Sequence, residues 1–363
     1  MPKLFIIGFG YSAGFLAKEL VPQGWQVVGT RRSPSTPSHH LLGSDDSDDS
    51  VPILAYPAGN QAIPPALLDE LPTASHLLIT VPPTADGCPV AHDFASLSLS
   101  LPALRWIGYC SATNVYGDHG GDWVDEDSPC KAKPGSRGGN RLLAEQQWRQ
   151  LAADKGWPAP IVFRLAGIYG PGRSALDRVA RAIALQDDSQ LVQDEPLDSQ
   201  LVSVPAGGSP PASDNLPPIG SGAMVSRIHV VDIARLIAAS MMQQSCNPPP
   251  HTSQKAAYKI YNVADSLPAP TDTVLAYAAS LLGHSVPASL LGHGLDNRPP
   301  TASASIESKK VDGQRILQEL NATLCYPSYR EGLQAISAQN TCAQAVADKP
   351  TLIPTIPFPP SFS

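Results

Sequence analysis

The chain has 363 residues, 42% of them hydrophobic, and a formal net charge of −7. That much apolar material supports a sizeable core in one large or two modest domains, so the chain is not wholly disordered. The acidic balance argues against a nucleic-acid footprint, which needs a basic stripe, and no apolar run reaches the roughly 20 residues of a membrane span.

Strand-like and helix-like segments alternate from residue 3 to about 170. "KLFIIG" reads as a first strand; it carries no small-residue cleavage site and is not a signal peptide. "SAGFLAKELVPQG" reads as a helix stopped by its Pro-Gln-Gly, and "QVVGT" as the next strand. Residues 33–50 mix proline, serine and acids and read as a solvated loop. "SHLLITVPP" and "LRWIGYCSA" are continuous apolar runs, as buried parallel strands should be. "RLLAEQQWRQLAADKG" sets Ala144, Trp148, Leu151 and Ala152 on one helical face, with Gly156 as its stop. "APIVFRLAGIYG" supplies a further strand.

Residues 186–222 show neither period and read as a long disordered insertion. Beyond it, "SRIHVVDIARLIAASMM" predicts a short strand and a helix with Asp232 as N-cap. "YKIYNVAD" predicts a strand, and "TDTVLAYAASLLG" a helix capped by Thr271 and stopped by Gly283. A proline-punctuated tail is expected from residue 341. The fold class is therefore α/β, a doubly wound parallel sheet over residues 1–170, with a smaller C-terminal lobe over 171–340 interleaved with that sheet. The six cysteines show no CxxC or metal-ligand spacing, so no metal is expected; free thiols fit a cytoplasmic protein.

"IIGFGYSAG" sets Gly8, Gly10, Ala13 and Gly14 at the first strand-to-helix turn. After an apolar strand and opening a helix, this spacing points to a dinucleotide site of the Rossmann kind. Gly8 permits the tight turn, Gly10 lets the backbone approach a pyrophosphate, and the helix N-terminus offers partial positive charge. Tyr11 and Ser12 in the turn, with Val81 and Pro82 after "SHLLIT", complete the candidate cofactor wall. An NAD-preferring site wants an acid about 20 residues past the glycines. No Asp or Glu lies between Glu19 and Asp45; Arg31 and Arg32 stand there instead. Arginine's planar fork suits a 2′-phosphate, so NADP is the expected cofactor, with two surface arginines merely following a strand as the alternative.

With the glycine turn, "TRR", "SATNVYGD", "FRLAGIYGPGR" and "SRIHVVDIA" in order, the chain resembles the extended or atypical short-chain dehydrogenase/reductases, and most the NAD(P)-dependent epimerase/dehydratase-like proteins. The resemblance covers about residues 3 to 335 apart from the insertion. It implies hydride transfer to or from a small-molecule substrate, with the C-terminal lobe as the substrate lobe. Many members pair as homodimers through two helices per subunit.

Such enzymes use a Ser or Thr, a Tyr and a Lys, the last two spaced YxxxK on one helix face. Here "RGGNRLLAEQ" puts Arg137 and Arg141 at the Tyr and Lys positions, and Ala112 where the hydroxyl is expected. Arg141 would keep the ribose contact, whereas a guanidinium does not exchange protons near neutral pH. Tyr116 and Thr113 then remain as candidate catalytic groups, with Arg141; for Tyr116 a place in the pocket floor is the competing reading. Ser111 flanks Ala112, and the loop "GDWVDED" with His119 nearby reads as solvated. Arg164, Arg173, Arg227 and His229 are candidate substrate-binding residues, and converging arginines would favour an anionic or sugar-nucleotide substrate, with structural ion pairing the alternative. A non-catalytic NADP-binding sensor or scaffold is the second function the same residues permit.

Overall fold

A computed structural model of the chain describes residues 1–33, 51–56, 63–191, 221–246, 258–290 and 307–347. β1 (Lys3–Ile7) runs through the glycine turn into α1 (Tyr11–Leu20), followed by β2 (Gln26–Arg31), β3 (Ile53–Ala55), α2 (Pro65–Glu70), β4 (His76–Ile79) and α3 (Pro89–Ser96). Next come β5 (Trp106–Ala112), the short β6 (Trp123–Val124), α4 (Arg137–Lys155), β7 (Ile161–Leu165), β8 (Gly167–Tyr169) and α5 (Ala175–Leu191). The last third contributes β9 (Arg227–His229), α6 (Val230–Cys246), β10 (Lys259–Val263), α7 (Thr271–Leu281), β11 (Lys310–Val311), α8 (Gln314–Leu320) and α9 (Tyr329–Ala347).

Seven of these strands form one parallel sheet in the order β10-β7-β5-β4-β1-β2-β3. The order reverses direction at β1 and β4, the switch point where open α/β sheets bind ligands. Side-chain alternation explains the two cores. Leu4 and Ile6 face α1 and α6 with Leu16, Ile237 and Met241; Phe5 and Ile7 face the other way with Phe94, Tyr109 and Trp148. A third apolar cluster, with Val179, Leu275, Ala278, Tyr329 and Leu333, holds α5, α7 and α9 together as the smaller lobe.

The expected doubly wound sheet is present, and several local expectations need correction. The "APIVFRLAGIYG" strand is two: β7 lies in the large sheet, while β8 pairs with β9 in the lobe. Residues 186–191 continue α5 instead of opening the insertion, and α9 extends to Ala347, past the expected start of the tail. The rest of the insertion to residue 220, the loop 34–50 and the tail from 348 lie outside the described residues. Asp232 does not cap α6. It sits inside the first turn, and its carboxylate accepts from the amides of Cys325 and Tyr326 at 2.6 and 3.0 Å, tying the helix to the chain before α9. Thr271 is the first helical residue of α7, and Pro270 occupies the cap position. No helix among the described residues is long and apolar enough to cross a membrane.

Candidate functional site

At the end of β1 the backbone of Gly8 takes φ 99°, and a Cβ there would lie 2.6 Å from Thr80 Oγ1. Only glycine fits that turn. Its amide donates to Thr30 Oγ1 at 3.1 Å and its carbonyl accepts from the Thr80 hydroxyl, so β1, β2 and β4 are knotted at their C-terminal ends. Gly10 is different: its backbone is extended, and a Cβ would meet nothing nearer than the Gly8 carbonyl at 4.0 Å. The space beside Gly10 is open because nothing among the described residues fills it. α1 starts there without a side-chain cap and without an acid in its first turn, so its leading amides are available to a phosphate. Ala13 and Gly14 are buried against the sheet, as the close helix packing requires.

Arg31, at the last position of β2, donates through Nε to the Phe9 carbonyl at 3.0 Å and lies 5.5 Å over the Phe9 ring. It is thereby fixed beside the glycine turn, while Arg32 is exposed. Tyr11 reaches the other way. Its hydroxyl donates to the Pro171 carbonyl at 3.0 Å, and Arg173 lies over its ring at 5.8 Å. Val81 is packed into the core beside Gly8, and Pro82 is exposed.

From Ser12 and Pro82 a cleft of about 1040 Å³ runs across the ends of β4, β5 and β7 to the lobe. Of the residues singled out from the sequence as candidate site residues or relay positions, its wall contains Ser12, Pro82, Ser111, Ala112, Thr113, Arg137, Arg141, Arg173 and Arg227. Arg141 donates to the Cys110 carbonyl at 3.1 Å, and Arg137 opens α4 on the same wall. The wall also holds two cations that the sequence did not single out, Arg178 and Lys309, and Thr271, which the sequence offered only as a helix cap. Lys309 is buried, and its ammonium donates to the Gly117 carbonyl and to Glu307 Oε2, each at 2.8 Å. The described wall thus carries six cationic side chains, Arg137, Arg141, Arg173, Arg178, Arg227 and Lys309, against the single carboxylate of Glu307. Such a cavity attracts anions.

Tyr116, Arg164 and His229 lie elsewhere. Tyr116 is 0% exposed; its hydroxyl donates to Asn262 Oδ1 at 2.7 Å and accepts from Arg164 at 3.1 Å. Burial raises its pKa to about 12 despite the neighbouring guanidinium. So placed, the Tyr116 hydroxyl lies in the core and not on the described cleft wall, where a catalytic group was expected. Arg164 is engaged with Glu145 at 2.9 Å, both side chains about nineteen-twentieths buried, and Ser111 donates to the same carboxylate at 2.5 Å. Structural pairing, and not substrate, accounts for Arg164. His229 packs between Tyr169 and Tyr326, and burial holds its pKa down to about 4, so it is neutral and set in the lobe core. In the acidic loop, Glu126 is buried, accepts from the Asn262 amide at 2.7 Å and pairs with Arg315 at 3.3 Å. Among the described residues no group of side chains has the makings of a metal site, and Cys88, Cys110, Cys130 and Cys325 are free thiols.

No family model matches the sequence, and no curated protein does. Solved structures do. A functionally unknown conserved protein from Silicibacter pomeroyi is 33% identical, with 93% of this chain and 99% of that chain covered and a TM-score of 0.64. A protein from Methylobacillus flagellatus, provisionally named an NAD-dependent epimerase/dehydratase, is 25% identical over 94% of this chain and 99% of that one, TM-score 0.57. The dTDP-glucose 4,6-dehydratase of Bacillus anthracis, in complex with NAD, is 13% identical and shares the fold over 95% and 98% of the two chains, TM-score 0.62.

Proposed function

The chain belongs to the short-chain dehydrogenase/reductase superfamily, in its extended NAD(P)-dependent epimerase/dehydratase-like branch, and from that membership we propose an NADP-dependent oxidoreductase or epimerase/dehydratase-like enzyme acting on a small anionic or sugar-nucleotide substrate. The observation that carries this reading is the single cleft that joins the glycine turn, through Ser12, to a cationic wall. The open space at Gly10 and the uncapped start of α1 fit a pyrophosphate. Arg31, anchored on Phe9 where an acid would favour NAD, supports NADP. Residues 1–170 would form the cofactor half and 171–340 most of the substrate half, and the free thiols fit the reducing cytoplasm.

When bound, the nicotinamide supplies or accepts the hydride. The chain's own part is to bind, orient and handle the proton. With Ala112, Arg137 and Arg141 in place of the usual hydroxyl, Tyr and Lys, the relay passes to another group on the wall. Lys309 has three ammonium protons, two of them engaged by Gly117 and Glu307, which leaves one to donate to a developing alkoxide.

One observation favours a second reading, a non-catalytic NADP-binding module: the standard relay is missing and Tyr116 is sealed in the core. Turnover of NADPH across a panel of sugar nucleotides and small carbonyl acids separates the two. The enzyme reading expects turnover with at least one compound and its loss in Lys309→Met, with NADPH still bound. Tight NADPH binding with no turnover across the panel supports the module instead.

A further inference from the structure

We infer that Arg173 serves the cofactor and not the substrate: carried on a turn of the lobe, it reaches over Tyr11 and clamps the cofactor's pyrophosphate at the start of α1. The inference rests on reading the glycine turn as the dinucleotide site, and it adds a contact from the other half of the molecule.

Gly10 stands between two aromatic residues, Phe9 and Tyr11, and each has an arginine over its ring. Arg31 comes from β2 and lies 5.5 Å from the Phe9 ring centre. Arg173 comes from the turn after β8 and lies 5.8 Å from the Tyr11 ring centre. Stacking on a ring orders a planar guanidinium and leaves its edge N–H groups to bind. Two such forks flank the one residue whose missing side chain leaves room for a pyrophosphate. Arg31, at the end of β2, stands on the side of the 2′-phosphate. Arg173 stands on the helix side, because Tyr11 is the first residue of α1. Its charge there adds to that of the leading amides. The ring that holds Arg173 thus belongs to the cofactor turn, although its backbone belongs to the lobe.

The turn that carries Arg173 is built to stay against α1. Gly170 and Arg173 exchange backbone hydrogen bonds at 3.1 and 3.0 Å, and Gly172 between them takes φ 72°. The Tyr11 hydroxyl donates to the Pro171 carbonyl at 3.0 Å. A Cβ on Gly170 would collide with that hydroxyl oxygen, so glycine permits the approach. Burial raises the Tyr11 pKa, which keeps the hydroxyl a donor. The Asp177 carboxylate is felt at Tyr11 and would oppose an anion, but it is turned into its own helix start. Its Oδ2 accepts from the amide and the hydroxyl of Ser174 at 2.7 and 2.6 Å, and it is not a wall residue. Ser12, Arg173 and Ser174 all line the cleft.

The test is calorimetric titration of the full chain with NADP, ADP-ribose and adenosine 2′-monophosphate, the last of which has no pyrophosphate. In Arg173→Gln, NADP and ADP-ribose should each bind about 10-fold or more weakly, with 2′-monophosphate affinity unchanged. The melting temperature should equal the parent's, because the side chain is exposed. Arg173→Lys keeps the charge without the fork and should recover part of the loss. Unchanged affinity for NADP and ADP-ribose in Arg173→Gln overturns the clamp, and so does a loss confined to NADP. Equal weakening of all three ligands also overturns it, since that marks a general disturbance of the turn. A parent protein that binds none of the three removes the cofactor reading itself, and the clamp falls with it.

Discussion

The guanidinium of Arg164 lies 5.0 Å over the ring of Tyr116 and donates to its hydroxyl at 3.1 Å. The same arginine holds Glu145, which in turn accepts from Ser111, so one buried polar chain links β5, α4, β7 and the turn after β5. Tyr116→Phe removes a link from it without touching the cleft wall. It should destabilise the fold by about 1–3 kcal/mol, because Asn262 Oδ1 and one Arg164 donor lose their partner. NADP affinity and any turnover should be unchanged. Urea unfolding and cofactor titration check both halves.

Gly8 and Gly10 should separate folding from binding. Gly8→Ala forces a side chain into φ 99° and against Thr80, and should cost about 2 kcal/mol or more of stability. Gly10→Ala meets, among the described residues, nothing nearer than the Gly8 carbonyl at 4.0 Å, an ordinary contact, and an ordinary backbone conformation, so its melting temperature should match the parent. It should nevertheless bind NADP at least 10-fold more weakly, since the new methyl occupies the pyrophosphate's approach.

Arg31→Asp should reverse cofactor preference. Loss of the fork at the end of β2 is expected to weaken NADP about 10- to 100-fold and to leave NAD equal or better. Equal affinity of the parent protein for the two cofactors would remove the NADP assignment.

Asp265 predicts a pH dependence of stability. Its folded pKa is about 8 because of burial, against the ordinary carboxyl value of 3.8. Between those values the folded state keeps a proton that the unfolded state has released, so stability falls as pH rises. The contribution is fully present below about pH 4 and lost by passage through pH 8. Asp265→Asn keeps the acceptor for the Leu267 amide and abolishes the titration. Its unfolding midpoint should therefore gain on the parent's between pH 5 and 9, with little difference at pH 4.

Legibility from sequence followed the range of the interactions. The glycine turn, the buried strands and the helix face of Ala144, Trp148, Leu151 and Ala152 are local, and each is where its spacing puts it. The role of Tyr116 was not legible, because its partners arrive from Arg164, 48 residues on, and Asn262, 146 residues on. Arg164, on strand β7, looked like a ligand for an anion because its carboxylate partner, Glu145, sits 19 residues earlier on helix α4. Thr271 and Asp232 both read as caps: a hydroxyl or carboxylate at a helix start has that local use, and only the tertiary structure shows one unpartnered and the other bonded to Cys325 and Tyr326. Lys309 reaches the site from a segment with no motif of its own.

The junction of β7 and β8 has a mechanical consequence. The amide of Ala166 donates to Val263 in the large sheet, and the very next amide, Gly167, donates to Ser226 beside the lobe's strand pair, each at 3.0 Å. One uninterrupted ribbon thus acts as a beam under the cleft, clamped on both sides within a single residue, with no pivot between. A ligand that spanned the cleft from the glycine turn to the lobe would have to match the separation this ribbon sets.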